Sequence, residues 1–290
     1  MEITTEVVAR LLPHRPEDGH KGTFGHLWIL AGSQGYAGAA RLAAMGALRS
    51  GVGLVSVGVP ESLVRILAGE PPEAMYHPLP AIPDGAFSSG ALEPALEFAE
   101  RVQAVAMGPG MSQHPETQEF IRRFVQRCTT PLVLDADGLN ALAGQADALS
   151  RVNCDLIITP HPGELARLTG TSAADIQSDR IGIAERYAGD WEVTLVLKGH
   201  RTVVASSVDQ AVLNTTGNDG MGTGGTGDVL SGLMGGLLAQ GMKPFDAAQL
   251  AVYAHGRAGD LAAQAKTGRG MIASDLVGKI PEVWKELESF

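Results

Sequence analysis

The chain has 290 residues with a formal net charge of −10, 44% apolar residues and two cysteines. That length lies at the upper end for one domain and allows a large core. The acidic balance argues against nucleic acid as a partner, because phosphate contacts need clustered Lys and Arg. Two cysteines, Cys128 and Cys154, are too few for a disulfide framework and read as reduced core thiols.

In chain order, the first twenty residues hold no apolar run of the kind a secretory signal needs, and no stretch is long and apolar enough to span a membrane. The cytoplasm is therefore the expected compartment. His26 to Ala31 reads as a strand, followed by the loop GSQGYAG and a helix over Ala39 to Ser50. Gly53 to Val59 and Ala104 to Met107 read as strands, the latter ending in Gly108-Pro109-Gly110. Pro115 to Gln126 is helical by pattern. Pro131 to Leu134 and Leu156 to Thr159 are strands that end in DADG and PHP. Thr194 to Lys198 and Thr202 to Ala205 flank Gly199-His200-Arg201 as a hairpin. Helical patterns over Gly225–Gln240, Phe245–Ala265 and Ala273–Glu288 close the chain. Short apolar strands alternating with helices predict a mostly parallel α/β sheet with helices on both faces. Ligands of such sheets sit beyond the carboxyl ends of the strands, where these polar loops lie.

The segment from Asn214 to Gly241 carries the strongest signal. Its first half is nearly all Gly, Thr and Asn. Its second half places Val229, Leu230, Leu233, Met234, Leu237 and Leu238 on one helical stripe. Gly232, Gly235 and Gly236 interrupt that stripe and predict close packing against another element. A glycine-rich approach to a helix start leaves backbone amides exposed to an anion. Asp228 sits at that start, where helix capping alone could account for it. A literal GxGxxG occurs at Gly222, Gly224 and Gly227, but no strand precedes it, and Asp246 lies in the next helix, so the dinucleotide fingerprint fails. No GxxxxGK[ST] is present. His161 and Glu164 form HxxE rather than HExxH, with no third ligand in view, which argues against zinc and gives no metal ligands from sequence. His161 could equally be an incidental loop residue, and Lys198 and Arg201 could simply close a hairpin.

Taken in order, KGTFGHLWILAGSQGYAGAARLAAMGALRSGVGLV (Lys21 to Val55), AMGPGMS, VLDADGLNAL, TPHPGELARL, KGHRT and NDGMGTGGTGDVLSG resemble the NAD(P)H-hydrate dehydratase family of the ribokinase-like superfamily. The match runs from about Lys21 to Ala265. The resemblance implies an α/β, ribokinase-like single domain over residues 1–290. It implies dehydration of the S epimer of hydrated NADH or NADPH at the expense of ADP (or ATP), with Mg²⁺ on the phosphates. Carried over residue by residue, it sets the damaged nicotinamide against Ala39, Gly110, His161 and Asp228. It sets the adenine nucleotide on Lys198, Gly199, His200, Arg201, Thr202 and Gly227. Asp228 is then the catalytic base, the amides of Gly224, Gly225, Thr226 and Gly227 form an anion hole, and Asp135 or Glu164 is offered as an outer-shell partner of the cation. A homotetramer is implied, as is a stand-alone form that works beside a separate NAD(P)H-hydrate epimerase. Asp219 and Gly222 depart from the family's usual proline and alanine. A small-molecule kinase of the same superfamily, acting on a sugar, hydroxymethylpyrimidine or pyridoxal, remains the alternative. A nucleotide-binding regulator without catalysis is a third reading, disfavoured by the intact Asp228.

Overall fold

Along each central strand, alternate side chains enter different cores, as the pleat of a sheet covered on both sides requires. In the first strand Leu27 and Ile29 join one apolar cluster, and Trp28 and Leu30 join the other. The computed structural model describes residues 1–290. Its strands are β1 (His26–Leu30), β2 (Leu54–Pro60), β3 (Ala74–Leu79), β4 (Ala104–Met107), β5 (Leu132–Leu134), β6 (Leu156–Ile158), β7 (Thr194–Leu197), β8 (Val203–Ala205) and β9 (Val212–Leu213). They form one nine-stranded sheet in the order β3-β2-β1-β4-β5-β6-β7-β8-β9. The pairs from β3 through to β7 are parallel, and β7–β8 and β8–β9 are antiparallel.

The helices follow the two cores. On one face lie α1 (Thr5–Leu11), α2 (Ala37–Leu48) and α3 (Val64–Leu67). On the other lie α4 (Leu92–Ala99), α5 (Pro115–Arg127), α6 (Asp137–Asn140), α7 (Pro162–Thr169), α8 (Ala173–Ser178) and α9 (Arg180–Trp191). The chain then returns to the first face with α10 (Thr226–Ala239), α11 (Pro244–Lys266) and α12 (Ala273–Glu288). The expected α/β class and the β7–β8 hairpin are both present. The expected helix near Ala39 begins at Ala37, a boundary difference of ordinary size.

Two strands and most of the second-face helices lie outside the sequence expectation. β3 is an edge strand with an exposed Met75 and a proline at position 78, and β9 is two residues long, so neither carries a clean period-two pattern. The glycines of α10 have the predicted cause. A Cβ on Gly232 would overlap the Ala43 carbonyl of α2, and one on Gly46 would overlap the carbonyl of Val229. Only hydrogen fits where these two helix backbones meet. Both cysteines are free, but only Cys128 is buried; Cys154 is half-buried.

Strand order reverses between β1 and β4, because the chain runs outward from β1 to β2 and β3 before returning to β4. The loops after these two strands therefore diverge and open a crevice at the carboxyl edge of the sheet. They are tied together at its base: the Gly32 amide donates to the Pro109 carbonyl at 2.8 Å, and the Ser33 hydroxyl to the Gly110 carbonyl at 2.8 Å.

Candidate functional site

The glycine-rich loop is held from below by α11. The Asp260 carboxylate accepts from the Gly217 amide and from Asn218 Nδ2, each at 3.0 Å, and Asn214 Nδ2 donates to the Val252 carbonyl at 3.1 Å. At the end of the loop Gly225 adopts φ +92° as the N-cap of α10, and a Cβ there would run into Leu42. The position thus demands glycine on both conformational and steric grounds. The Val229 amide makes the first helical bond, to the Gly225 carbonyl at 3.2 Å. The consecutive amides from Thr223 to Asp228 have no acceptor within the chain. They point where a negatively charged group can be held, reinforced by the helix dipole.

Asp228 is not the cap. It is the third residue of α10, and no side chain caps that helix. Its carboxylate makes no hydrogen bond and no ion pair. Burial pushes its pKa up to about 6, the nearby Asp135 charge adds to the rise, Lys198 opposes it, and Asp137 adds a smaller push. An unpaired, half-buried carboxylate with that affinity for protons has the character of a general base.

Beneath it, at the ends of β5, β6 and β7, lies an ionic cluster. Lys198 Nζ donates to Asp135 Oδ1 at 2.5 Å and lies 3.8 Å from Glu164 Oε2. Burial pulls the Lys198 pKa down, but Asp135 and Glu164 more than offset it, so the net shift is upward and the ammonium keeps its charge. Burial likewise raises the Asp135 pKa, while Lys198, Ser231 and Thr159 prevail and hold the carboxyl below its ordinary value. The second Asp135 oxygen accepts from the Ser231 hydroxyl of α10.

A cavity of about 780 Å³ opens over this cluster, within the range of nucleotide-sized pockets. Its wall contains His161, Lys198, Gly199, His200, Arg201, Thr202, Thr226 and Gly227, eight of the residues singled out in the sequence. Gly224, Gly225 and Asp228 are not on that wall, and neither are Ala39 and Gly110. Ala39 and Gly110 instead meet each other at the β1/β4 crevice, where a Cβ on Gly110 would lie 2.9 Å from that of Ala39. Asp228 links the two sets. The charges that act on it are those of Asp135, of Lys198 on the cavity wall, and of Asp137. Asp137 in turn holds the Ser112 amide of the crevice loop at 2.9 Å. The chain thus builds a cavity and a crevice, and charged groups of both act on the unpaired Asp228 carboxylate.

His161 has a structural task as well. Its Nδ1 accepts from the Gly163 and Glu164 amides at 3.0 and 3.3 Å, and Glu164 Oε2 accepts from the His161 amide at 2.8 Å, so the pair forms a capping box for α7. Arg201 lines the cavity but spends its guanidinium on Glu2, 3.2 Å away. No three His, Cys, Asp or Glu side chains converge on a metal position. Asp135 serves Lys198 and Ser231, and Glu164 caps α7, so both carboxylates offered as outer-shell partners are already engaged. A Mg²⁺ ion suits this wall as part of a nucleotide complex, since Mg²⁺ commonly rides on phosphates and keeps most of its waters.

His255, Asp260 and Ser231 were not expected from the sequence. All three lie inside helices that look purely structural by period. The available signal was the break that His255-Gly256 and Gly259-Asp260 make in the apolar run of α11.

A family model described as NAD(P)H-hydrate dehydratase matches residues 27–282. A bifunctional NAD(P)H-hydrate repair enzyme of Moorella thermoacetica is 47% identical over 96% of this chain and 52% of its own length. The chain thus spans about half the length of the bifunctional relatives it matches. An ADP-dependent (S)-NAD(P)H-hydrate dehydratase of Bacillus subtilis is 36% identical over 98% of both chains. A crystal structure of an ADP/ATP-dependent NAD(P)H-hydrate dehydratase from Bacillus subtilis, co-crystallised with ATP and Mg²⁺, superposes with a TM-score of 0.83 at 34% identity, covering 99% of this chain and 98% of that one. A ribokinase-like superfamily protein of Enterococcus faecalis superposes equally well, with a TM-score of 0.83 at 25% identity over 99% of this chain and 95% of that one. The fold is ribokinase-like.

Proposed function

The chain belongs to the NAD(P)H-hydrate dehydratase family, and from that premise we propose that it repairs the S epimer of hydrated NADH or NADPH by ADP-dependent dehydration. The observation that carries the reading is the unpaired Asp228 carboxylate, in the first turn of α10 among free amides and under the charge of Lys198 on the cavity wall.

The hydroxyl at C6 of the hydrated ring is a poor leaving group. Asp228 takes its proton as the oxygen attacks the terminal phosphorus of ADP, and the bond from that phosphorus to the AMP oxygen breaks. A positioned base contributes about 10²–10⁴ in rate. The amides of Gly224, Gly225, Thr226 and Gly227 hold the charge that spreads over the phosphoryl oxygens, a contribution of about 10²–10³ per donor in comparable sites. The resulting ester loses phosphate together with a proton from the neighbouring ring carbon, which restores the dihydronicotinamide. The nucleotide occupies the wall from Lys198 to Thr202 with Gly227. The hydrated ring lies against Ala39, Gly110 and His161, within reach of Asp228. Mg²⁺ bound to the nucleotide would supply the charge that neutralises its phosphates. That supply matters because the protein cations here are already matched by carboxylates.

In this reading residues 1–290 make one catalytic domain of a cytoplasmic homotetramer, acting beside an NAD(P)H-hydrate epimerase. No helix is long and apolar enough to cross a membrane. Incubation with hydrated NADH, Mg²⁺ and either ADP or ATP should restore absorbance at the reduced nicotinamide band and release AMP or ADP with phosphate. Accumulation of a stable phosphate ester with no return of that band would identify a kinase and refute the dehydratase reading.

A further inference from the structure

His255 lines the cavity from α11 and belongs to no role assigned above. Only 7% of the residue is exposed. Its Nε2 lies 2.8 Å from the Thr226 carbonyl in the first turn of α10. A carbonyl oxygen can only accept, so Nε2 carries the hydrogen. Burial, partly countered by that hydrogen bond and assisted by the charge of Lys198, pushes the imidazole down to about 4, so the ring is neutral at physiological pH. A neutral ring protonated at Nε2 leaves a lone pair on Nδ1. That atom has no partner in the chain, yet it is not among the fully buried polar atoms that lack one, so it reaches the cavity. Two polar side chains of the same wall are spent: Asn214 Nδ2 donates to the Val252 and Thr216 carbonyls, and the Thr216 hydroxyl bonds Asn214 Oδ1 and the Tyr253 carbonyl.

We propose that His255 is a specificity-determining residue for the co-substrate, its Nδ1 accepting a hydrogen bond from a neutral donor of the nucleotide, either the exocyclic amine of the base or a ribose hydroxyl. The proposal rests on the reading of the cavity as the nucleotide site. Its chemistry excludes the alternatives on either side. A phosphate oxygen brought to the same place would set lone pair against lone pair, whereas the free amides at the start of α10 attract it. The nucleotide is thereby given one orientation, phosphates toward α10 and a donor toward α11. A 6-oxo purine offers an acceptor where adenine offers an amine, and sets its lone pairs against that of Nδ1.

The test compares ADP, inosine diphosphate and 2′-deoxy-ADP as co-substrates for the wild type and for His255→Phe, which keeps a ring but has no acceptor. The wild type should lose about tenfold or more in kcat/KM with the analogue that lacks the recognised donor. His255→Phe should accept that analogue and ADP equally. Loss with inosine diphosphate assigns the amine, and loss with 2′-deoxy-ADP assigns the hydroxyl. The ratio compares two nucleotides on one enzyme, so a partial folding defect cancels. If the variant does not fold, ¹⁵N-histidine spectra of the wild type supply the readout: a Nδ1 resonance should move on adding ADP and stay still with the discriminating analogue. An unchanged ratio in the variant, or a Nδ1 resonance indifferent to ADP, overturns the proposal while leaving the dehydratase reading intact. No ADP binding by calorimetry overturns both.

Discussion

Lys198 and Asp135 form a buried ion pair at 2.5 Å that joins the ends of β7 and β5 below the first turn of α10. The pair serves two ends at once. It supports the floor of the cavity, and its two charges act on Asp228 in opposite directions.

Removing either partner strands the other charge in a buried site. Lys198→Met or Asp135→Asn should each lower stability by about 3–5 kcal/mol, while the double variant should cost much less than their sum. Denaturant titration of the four proteins measures this. Additive losses would mean that the pair contributes no coupling.

The same two substitutions should move the pH profile in opposite directions. Asp228 must be ionised to act as base, and its pKa near 6 places the acid limb of kcat/KM there, well above an ordinary aspartate. Asp135 raises that pKa and Lys198 lowers it, so Asp135→Asn should shift the limb to lower pH and Lys198→Met to higher pH. A common direction for both would exclude electrostatic coupling through this pair.

Asp228→Asn should retain nucleotide binding and lose about 10²–10⁴ in turnover. Its effect on stability follows from linkage. The folded pKa is raised, so the carboxyl favours the folded state fully only below its unfolded pKa, and that advantage is lost as pH rises through about 6. At neutral pH the neutral amide should therefore be at least as stable as the wild type. Thermal denaturation at pH 5 and pH 8 would reveal the opposite trend if the carboxylate had a hidden partner.

His161 caps α7, and conservative substitution can separate that task from the proposed contact with the nicotinamide. His161→Ala removes the cap of α7 and should cost about 0.5–2 kcal/mol, whereas His161→Asn retains a capping acceptor and should restore most of that stability. Only the nicotinamide contact should stay lost in His161→Asn, as a raised KM for the hydrate. Full recovery of activity in that variant would reduce His161 to a cap.

Gly225 and Gly224 are neighbours with opposite tolerance. Gly225→Ala places a side chain at φ +92° against Leu42 and should destabilise the fold by about 1–3 kcal/mol. Gly224→Ala meets nothing within 4 Å and should leave the melting temperature unchanged. Equal melting temperatures for the two variants would contradict the left-handed cap.

The α/β class, the alternation of strands and loops, the close packing of the α10 glycines and the glycine-rich approach to a helix start near Asp228 are all legible in the chain alone. These are local properties, written in period, in glycine placement and in motif order. The sequence did not determine β3, β9, the short helices α1 and α3, or the second-face helices other than α5, whose patterns are short or lack a clear period. Nor did it reveal that Asp228 is unpaired and caps nothing, that Lys198 is matched by Asp135, or that His255 reaches the cavity. Those facts depend on which loops the strand order brings together. The reversal between β1 and β4 sets Gly110 beside Ala39, and the return of α10 and α11 to the first face sets Thr226 under His255. Burial and partnership arise only when distant segments meet, and they decide which of several similar polar residues holds a free charge or a free lone pair.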